Sequence, residues 1–120
     1  MLKNFLWVGL GGGIGSIMRF AVYVMFRSIG SPLPTLLINI TGSLVIGLVI
    51  GMSIKDENFA AGWKLFLGSG ICGGFTTFSA FSLENMQLLQ QGKYFLCGLY
   101  IILSIIAGIA AAWLGYKLTT

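Results

Sequence analysis

Long uncharged stretches dominate this chain, and their lengths predict helices that cross a membrane. Uncharged residues run without interruption over 28–54, 65–83 and 94–116, and a fourth run, 4–18, reaches about Phe26 if Arg19 lies inside a helix. A stretch of about 18 apolar residues is long enough to cross the hydrocarbon core of a bilayer. We therefore predict an all-α integral membrane protein with four transmembrane helices in one domain, 1–120, with spans at about 4–26, 34–52, 63–89 and 94–116.

The segment from Gly68 to Glu84 differs from a simple lipid-facing helix because it combines glycines with hydroxyl side chains. Its adjacent glycines weaken a helix, so we predict that the third span is broken near Gly73–Thr77. Irregular backbone is tolerated at membrane depth only where protein or a water-filled cavity covers it, since unsatisfied N–H and C=O groups are costly in lipid. The third span is therefore predicted to form a polar interior site.

The first span contains close-packing glycines and one buried charge. The pairs Gly9/Gly13 and Gly11/Gly15 have the four-residue spacing that lets helices approach closely. Arg19 lies in the same apolar run, where a charge is expensive and usually either functional or paired. Arg19 therefore either attracts a negative ligand or extends its side chain to the membrane surface.

Polar side chains in the second and fourth spans fall at helical spacing. Thr35, Asn39 and Gly42 share one face of span two, and Tyr100 and Ser104 are one turn apart in span four. Asn39 is the polar anchor of its face. It either bonds a neighbouring helix or contacts a ligand, and the spacing fits both roles.

The composition supports a membrane protein and argues against several other classes. Hydrophobic residues make up 57% of the chain and charged residues only 8%, with a mean hydropathy of +0.94. The net charge of +4 comes from single basic residues at predicted helix ends, which is unlike a nucleic-acid surface. Cys72 and Cys97 lie in different spans without metal-ligand spacing, so we expect neither a disulfide nor a metal site from them.

Enzymatic chemistry is not indicated. The chain has no histidine, and Asp56 and Glu57 fall in the segment Ile54–Gly62, which is predicted to be a hydrophilic loop. The remaining carboxylate, Glu84, is predicted to lie at a helix end, and no nucleophile has a base partner. A channel or transporter requires none of these groups.

The third span could bind ions of either sign. An anion could be bound by the Asn39 amide and by a set of hydroxyl groups: Thr76, Thr77, Ser79 and Ser82. Backbone carbonyls released by the break could bind a cation, namely those of Gly73, Gly74 and Thr76. Phe78 and Phe81 are three residues apart, so they share a helix face and could present positive ring edges to an anion.

Two segments resemble the Fluc (CrcB) family of fluoride channels. They are Thr-Leu-Leu-Ile-Asn-Ile-Thr-Gly-Ser at 35–43 and Gly-Gly-Phe-Thr-Thr-Phe-Ser-Ala-Phe-Ser-Leu-Glu at 73–84. The glycine-rich first span that ends in Arg19-Phe20 agrees with this family, and the resemblance covers all four spans. It implies a dual-topology antiparallel homodimer with two pores that exports fluoride passively across the bacterial inner membrane.

The resemblance also implies roles for individual residues. Phe78 and Phe81 would be the pore-facing aromatic pair and Asn39 a fluoride donor. Further residues would line the pathway, as entrance residues or as a polar track: Arg19, Thr35, Ser79, Tyr100 and Ser104. Backbone carbonyls of Gly73 and Thr76 from both subunits would hold a structural sodium ion at the dimer interface. Ala80 departs from the family pattern, which commonly has threonine there, and leaves the track one hydroxyl short.

Two other hypotheses fit a small four-span protein. One is a dual-topology multidrug or cation transporter, which requires a membrane-embedded carboxylate. The other is a structural membrane subunit, which leaves the motif at 73–84 without a purpose. Four basic residues at one end against two or three at the other give a weak charge bias, which is compatible with insertion in both orientations.

Overall fold

The computed structural model describes residues 1–30 and 32–120, and within these the chain is helical with short connections and no β-strand. In chain order the elements are α1 (Leu2–Met25), α2 (Leu33–Lys55), α3 (Glu57–Lys64), a π-helical segment (Leu65–Cys72), α4 (Gly73–Phe75), α5 (Phe78–Gln90) and α6 (Tyr94–Thr119). Four stretches of helix are long and apolar enough to cross a membrane: Leu2–Met25, Leu33–Lys55, Glu57–Gln90 and Tyr94–Thr119. The predicted all-α fold with four spans is confirmed.

Two glycines close the short connections between spans. Gly30, with φ +82°, lies between α1 and α2, and Gly92, with φ +75°, lies between α5 and α6. At the end of α5 the Lys93 N–H donates to the Leu88 carbonyl at 2.9 Å, which satisfies a carbonyl that the helix end would leave free. Connections this short make each pair of successive spans antiparallel neighbours.

The segment Ile54–Gly62 is helical, which corrects the prediction of a loop there. Only Asp56 separates α2 from α3. Its carboxylate accepts hydrogen bonds from the backbone N–H groups of Asn58 at 2.9 Å and Phe59 at 3.3 Å. An aspartate at this position satisfies the free donors of a helix N-terminus, so the polar residues start a helix instead of forming a loop.

The third span is broken, as predicted, but the break lies at its threonines. Helical structure continues through both adjacent glycines, and the extended residues are Thr76 (φ −77°, ψ 156°) and Thr77 (φ −149°, ψ 117°). Gly74 instead provides close contact, since a Cβ there would lie 3.0 Å from the Cα of Gly12. Gly74 therefore lets α1 and α4 approach closely, and the two threonines interrupt the helix.

Helix α1 packs on the π-helical segment through one of its two glycine pairs. A Cβ at Gly11 would lie 2.9 Å from the Gly70 Cα, and one at Gly15 would collide with the Ile71 carbonyl. Gly9 and Gly13 have no such neighbour within 4 Å. Of the two predicted pairs, only Gly11/Gly15 makes this close contact.

Replacing Gly15 by alanine is expected to destabilise the protein by about 1–3 kcal/mol, because the new Cβ has no space against backbone atoms that cannot move independently. A Cβ at this position would lie 2.8 Å from the Phe75 N–H nitrogen as well as against Ile71. Gly13→Ala is the matched control, since alanine there meets open space and gains helix propensity. Thermal unfolding in detergent measures both, and an unchanged midpoint for Gly15→Ala would contradict this account.

Candidate functional site

The Asn39 side chain holds the break in the third span. Its Oδ1 accepts from the Thr77 N–H at 2.9 Å, and its Nδ2 donates to the Thr77 carbonyl at 3.1 Å. Thr77 is extended and 6% exposed, so its backbone groups have neither helical partners nor ready access to water. Asn39 therefore supplies the hydrogen bonds that the broken helix lacks. We call this pair of bonds the Asn39–Thr77 clamp.

Thr77 also caps the N-terminus of α5. Its Oγ1 accepts from the Ala80 N–H at 3.0 Å and lies 3.1 Å from the Ser79 hydroxyl. The first N–H groups of any α-helix lack intrahelical acceptors and carry the positive end of its dipole. The break therefore places a helix N-terminus, the usual backbone site for an anion, inside the third span.

The two carbonyls proposed for sodium lose their usual helical donors at the break. A helical Gly73 carbonyl would accept from the Thr77 N–H, but that group donates to Asn39. Likewise the Thr76 carbonyl would accept from the Ala80 N–H, which donates to the Thr77 hydroxyl. Both residues line the open groove beside Asn39.

Two open grooves flank the break. The break groove, of about 420 Å³, is lined by Asn39, Gly42, Gly73, Thr76, Thr77 and Phe78, among others. The arginine groove, of about 430 Å³, is lined by Ser16, Arg19, Tyr23, Thr77, Ser79 and Ala80, among others. Thr77 belongs to both. Arg19 and Ser79 thus share one side of the break, while Asn39 and the carbonyl-bearing residues share the other.

The two predicted aromatic residues are in contact and continue onto α6. The ring centroids of Phe78 and Phe81 are 5.7 Å apart, which confirms that they share a helix face. Phe81 meets Tyr100 edge-on at 5.0 Å, a geometry that directs the positive edge of one ring at the face of the other. Phe78 is 78% exposed, whereas Phe81 is half-buried against Tyr100.

Glu84 lies within α5, which corrects its predicted place at a helix end. Its two carboxylate oxygens accept from the Thr35 hydroxyl at 2.6 Å and from the Tyr100 hydroxyl at 2.8 Å. Thr35 has one hydroxyl proton, so the 2.7 Å contact between Tyr23 and Thr35 is donated by Tyr23. We call these four side chains the Glu84 network. It joins α1, α2, α5 and α6.

Sequence reasoning missed Glu84 as a member of the site. Thr35 is fully buried and Tyr100 is 3% exposed, so the two donors are fixed before any ion arrives. A signal was present, because a carboxylate within a predicted membrane span is expensive unless partners surround it. Its partners could not be inferred from spacing, since Thr35 lies 49 positions away along the chain.

The remaining predicted residues have distinct surroundings. Ser104 follows Tyr100 by one turn of α6, and its buried Oγ lacks a hydrogen-bond partner among the described residues. The Ala80 side chain lines the arginine groove with Arg19 and Ser79. Across residues 1–30 and 32–120, no group of three His, Cys, Asp or Glu residues could hold a metal ion.

Comparison with known proteins gives consistent matches along nearly the whole chain. A family described as "CrcB-like protein, Camphor Resistance (CrcB)" matches residues 6–116. A protein of Azobacteroides pseudotrichonymphae named fluoride-specific ion channel FluC is 48% identical over 122 residues, covering 99% of this chain and 98% of its own length. Proteins of the same name from Leptospira interrogans and Flavobacterium psychrophilum are 45% and 41% identical, and they cover 94% and 95% of this chain and 91% and 94% of their own lengths.

Proposed function

This chain belongs to the CrcB-like family, and from that membership and the broken third span we infer that it is a fluoride-selective channel. It mediates passive efflux of fluoride across the cell membrane, where it is a multi-pass protein and not an enzyme. One structural observation carries this conclusion. The extended residues Thr76 and Thr77 place the N-terminus of α5 and the ring of Phe78 at a groove inside a membrane span.

The chemistry of the site suits a small and strongly hydrated anion. Fluoride loses a tightly held hydration shell on entering a protein, so only several hydrogen-bond donors close together can offset the loss. Available donors are the free N–H of the Asn39 amide, the first N–H groups of α5 and the Ser79 hydroxyl. The guanidinium of Arg19 adds positive charge in the arginine groove.

We assign the fluoride pathway to the residues that surround the break. Arg19 serves the entrance, and Asn39 and Ser79 are donors beside α5. Thr35, which the resemblance implied as a second entrance residue, is fully buried in the Glu84 network beside Tyr100. The ring edges of Phe78 and Phe81 line the path between these donors and the buried hydroxyls of Tyr100 and Ser104 on α6. The unpartnered Oγ of Ser104 supports this direction, because a buried hydroxyl without a partner is free to bind a passing ion.

The Glu84 network supports an anion path in a second way. Two hydroxyl donors converge on the carboxylate of Glu84 at 2.6 and 2.8 Å. A carboxylate oxygen is a negatively charged acceptor, so this geometry already suits an anion. Movement of Glu84 away from Thr35 and Tyr100 would release both hydroxyls to fluoride. We propose that Glu84 and fluoride compete for these two donors.

A second copy of the chain would complete the pore. The ring of Phe78 is 78% exposed, and the break groove is open along one side, so one chain does not enclose an ion. We propose an antiparallel homodimer with dual topology, which the weak charge bias between the two ends permits. Accessibility labelling of Lys55 and Lys93 in intact cells tests this arrangement, since one-sided labelling would exclude it.

The carbonyls of Gly73 and Thr76 fit a structural sodium ion. Both are carbonyls whose usual helical donors bond elsewhere, and carbonyl oxygens are the ligands that sodium takes in broken membrane helices. Hard cations bind about six oxygens in proteins, so two carbonyls from one chain leave the ion open to ligands from a second copy. A bound sodium ion would join the two subunits at their centre.

A small multidrug or cation transporter remains the alternative function. Such a transporter needs a carboxylate in the membrane, and Glu84 provides one within the third span. Both of its oxygens, however, accept hydrogen bonds, one from the Thr35 hydroxyl and one from the Tyr100 hydroxyl. A cationic substrate that bound this carboxylate would have to replace both hydrogen bonds. A fluoride channel therefore accounts for these residues better than a cation transporter does.

Fluoride efflux from liposomes containing the purified protein tests the function. Vesicles loaded with potassium fluoride should release it on addition of a potassium ionophore, whereas vesicles loaded with potassium chloride should not. Equal release of the two anions, or no fluoride release from well-folded dimers, would refute a fluoride channel. Ionophore-free release of cationic dyes driven by a proton gradient would favour the transporter.

Removing sodium is expected to weaken the dimer and lower fluoride flux. The physical reason is that the freed carbonyls of Gly73 and Thr76 would then face one another without a cation between them. Dimer dissociation in detergent can be followed by size-exclusion chromatography in sodium or in N-methylglucamine, at matched ionic strength. Identical dissociation in both buffers would argue against the sodium site and leave the channel assignment unaffected.

A further inference from the structure

Helix α5 is attached to the rest of the protein through few contacts. It packs on α6 and α2, and its remaining surface carries large exposed side chains: Phe78, Leu83, Met86 and Leu89. Within one chain, specific polar contacts are therefore important in fixing the rotation of α5 about its axis. The Asn39–Thr77 clamp holds its first turn, and the Glu84 network holds its middle.

A third polar contact joins α5 to α6 in the interior of the chain. The Cys97 thiol donates to the Asn85 Oδ1 at 3.2 Å, and the Asn85 Nδ2 donates to the Phe81 carbonyl at 2.9 Å. Cys97 is 4% exposed and Asn85 is 8% exposed. Both ends of the Asn85 amide are therefore occupied inside a core in which a misplaced amide would leave polar atoms without partners.

The contact between Asn85 and Cys97 lies next to Phe81, one member of the aromatic pair. Cys97 forms one buried cluster with Leu88 and Tyr100, and Phe81 packs against this cluster. Asn85 is one turn after Phe81 and bonds its carbonyl. Any rotation of α5 that broke the bond to Cys97 would thus turn the ring of Phe81 relative to Tyr100.

We propose that Asn85 and Cys97 are positioning residues, which fix the rotation of α5 and thereby hold the ring edge of Phe81 in the fluoride path. Neither side chain needs to touch the ion. The proposal rests on the function inferred above. It adds that the conductance of each open pore depends on a thiol–amide hydrogen bond outside that pore.

Single-channel recording in planar bilayers separates positioning from folding, because it measures the current through each pore independently of how many pores are active. Cys97→Ala removes the donor, and we expect it to lower the unitary fluoride current at least about threefold, as misplaced groups commonly do. Cys97→Ser restores a donor and should bring the current back to within about twofold of the wild type. Leu99→Ala, on the exposed side of α6, controls for lost side-chain volume.

The single-channel recordings distinguish a positioning role of Cys97 from a purely structural one. Fewer active channels with an unchanged unitary current in Cys97→Ala would overturn the proposal, since that result describes a purely structural cysteine. Should Cys97→Ala not fold, Asn85→Ser is measured instead, because its shorter hydroxyl can bond the Phe81 carbonyl but not the thiol. An unchanged unitary current in Asn85→Ser would also overturn the proposal. Absence of fluoride current in the wild type would instead refute the proposed function.

Discussion

Asn39→Ala is expected to lower fluoride flux roughly 100-fold, the largest effect of any single substitution proposed for this chain. Alanine removes both bonds of the Asn39–Thr77 clamp. Each buried backbone group left without a partner costs about 1–3 kcal/mol, and each 1.4 kcal/mol lowers the population of the conducting arrangement about tenfold. The variant also removes the free amide N–H that we assign to fluoride.

Fluoride efflux from liposomes measures this effect, with protein content matched by size-exclusion chromatography of the dimer. Asn58→Ala is the matched control, because Asn58 is an exposed asparagine in α3 and far along the chain from the break. It should conduct like the wild type. Wild-type flux through Asn39→Ala would show that the clamp is not needed to hold a conducting break.

The four spans could be predicted from the sequence because the length and apolar character of a stretch largely determine whether its helix can cross a bilayer. The third span was also predicted to break, since glycines and hydroxyls together are unusual in lipid. The exact position was not predictable from composition. Gly74 is required where α1 approaches within contact distance, and the extended residues are Thr76 and Thr77, whose backbone is held by Asn39 from another helix.

Two features of the fold could not be predicted from the periodicity of apolar and polar residues. The π-helical segment Leu65–Cys72 uses residues that also form α-helices, so the change in hydrogen-bond register is decided by packing and not by local composition. The Glu84 network contains a hydrogen bond between residues 49 positions apart. The start of α3, by contrast, could have been predicted from the sequence. Asp56 followed by Glu57 is a capping signal that predicts a helix, and it was available in the sequence.

The same long-range contacts explain why the predicted site residues fall into groups. Along the chain, Asn39 and Thr35 are one turn apart and should act together. In the structure Asn39 bonds the break, whereas Thr35 bonds Glu84 deeper in α5. One face of α2 therefore serves both ends of the aromatic pair. This arrangement connects the break to Tyr100 through Asn39 and Thr35 of α2 and through Glu84.

Phe81→Ile is expected to lower fluoride flux about tenfold while leaving the dimer intact. Isoleucine retains most of the apolar volume against Tyr100, so the core loses little, but an aliphatic side chain has no positive ring edge to offer an anion. The geometry of an aromatic pair is worth about 0.5–1.5 kcal/mol, and a contact of similar energy between a ring edge and an anion would change the rate by up to about tenfold.

Phe95→Ile is the matched control for this substitution, since Phe95 lies on α6 and is 84% exposed. Liposome efflux and the dimer fraction should both match the wild type in that variant. Phe81→Tyr adds a second comparison, because it keeps the ring edge and should retain more flux than isoleucine. If Phe81→Ile conducts as fast as Phe95→Ile, the ring of Phe81 takes no part in conduction.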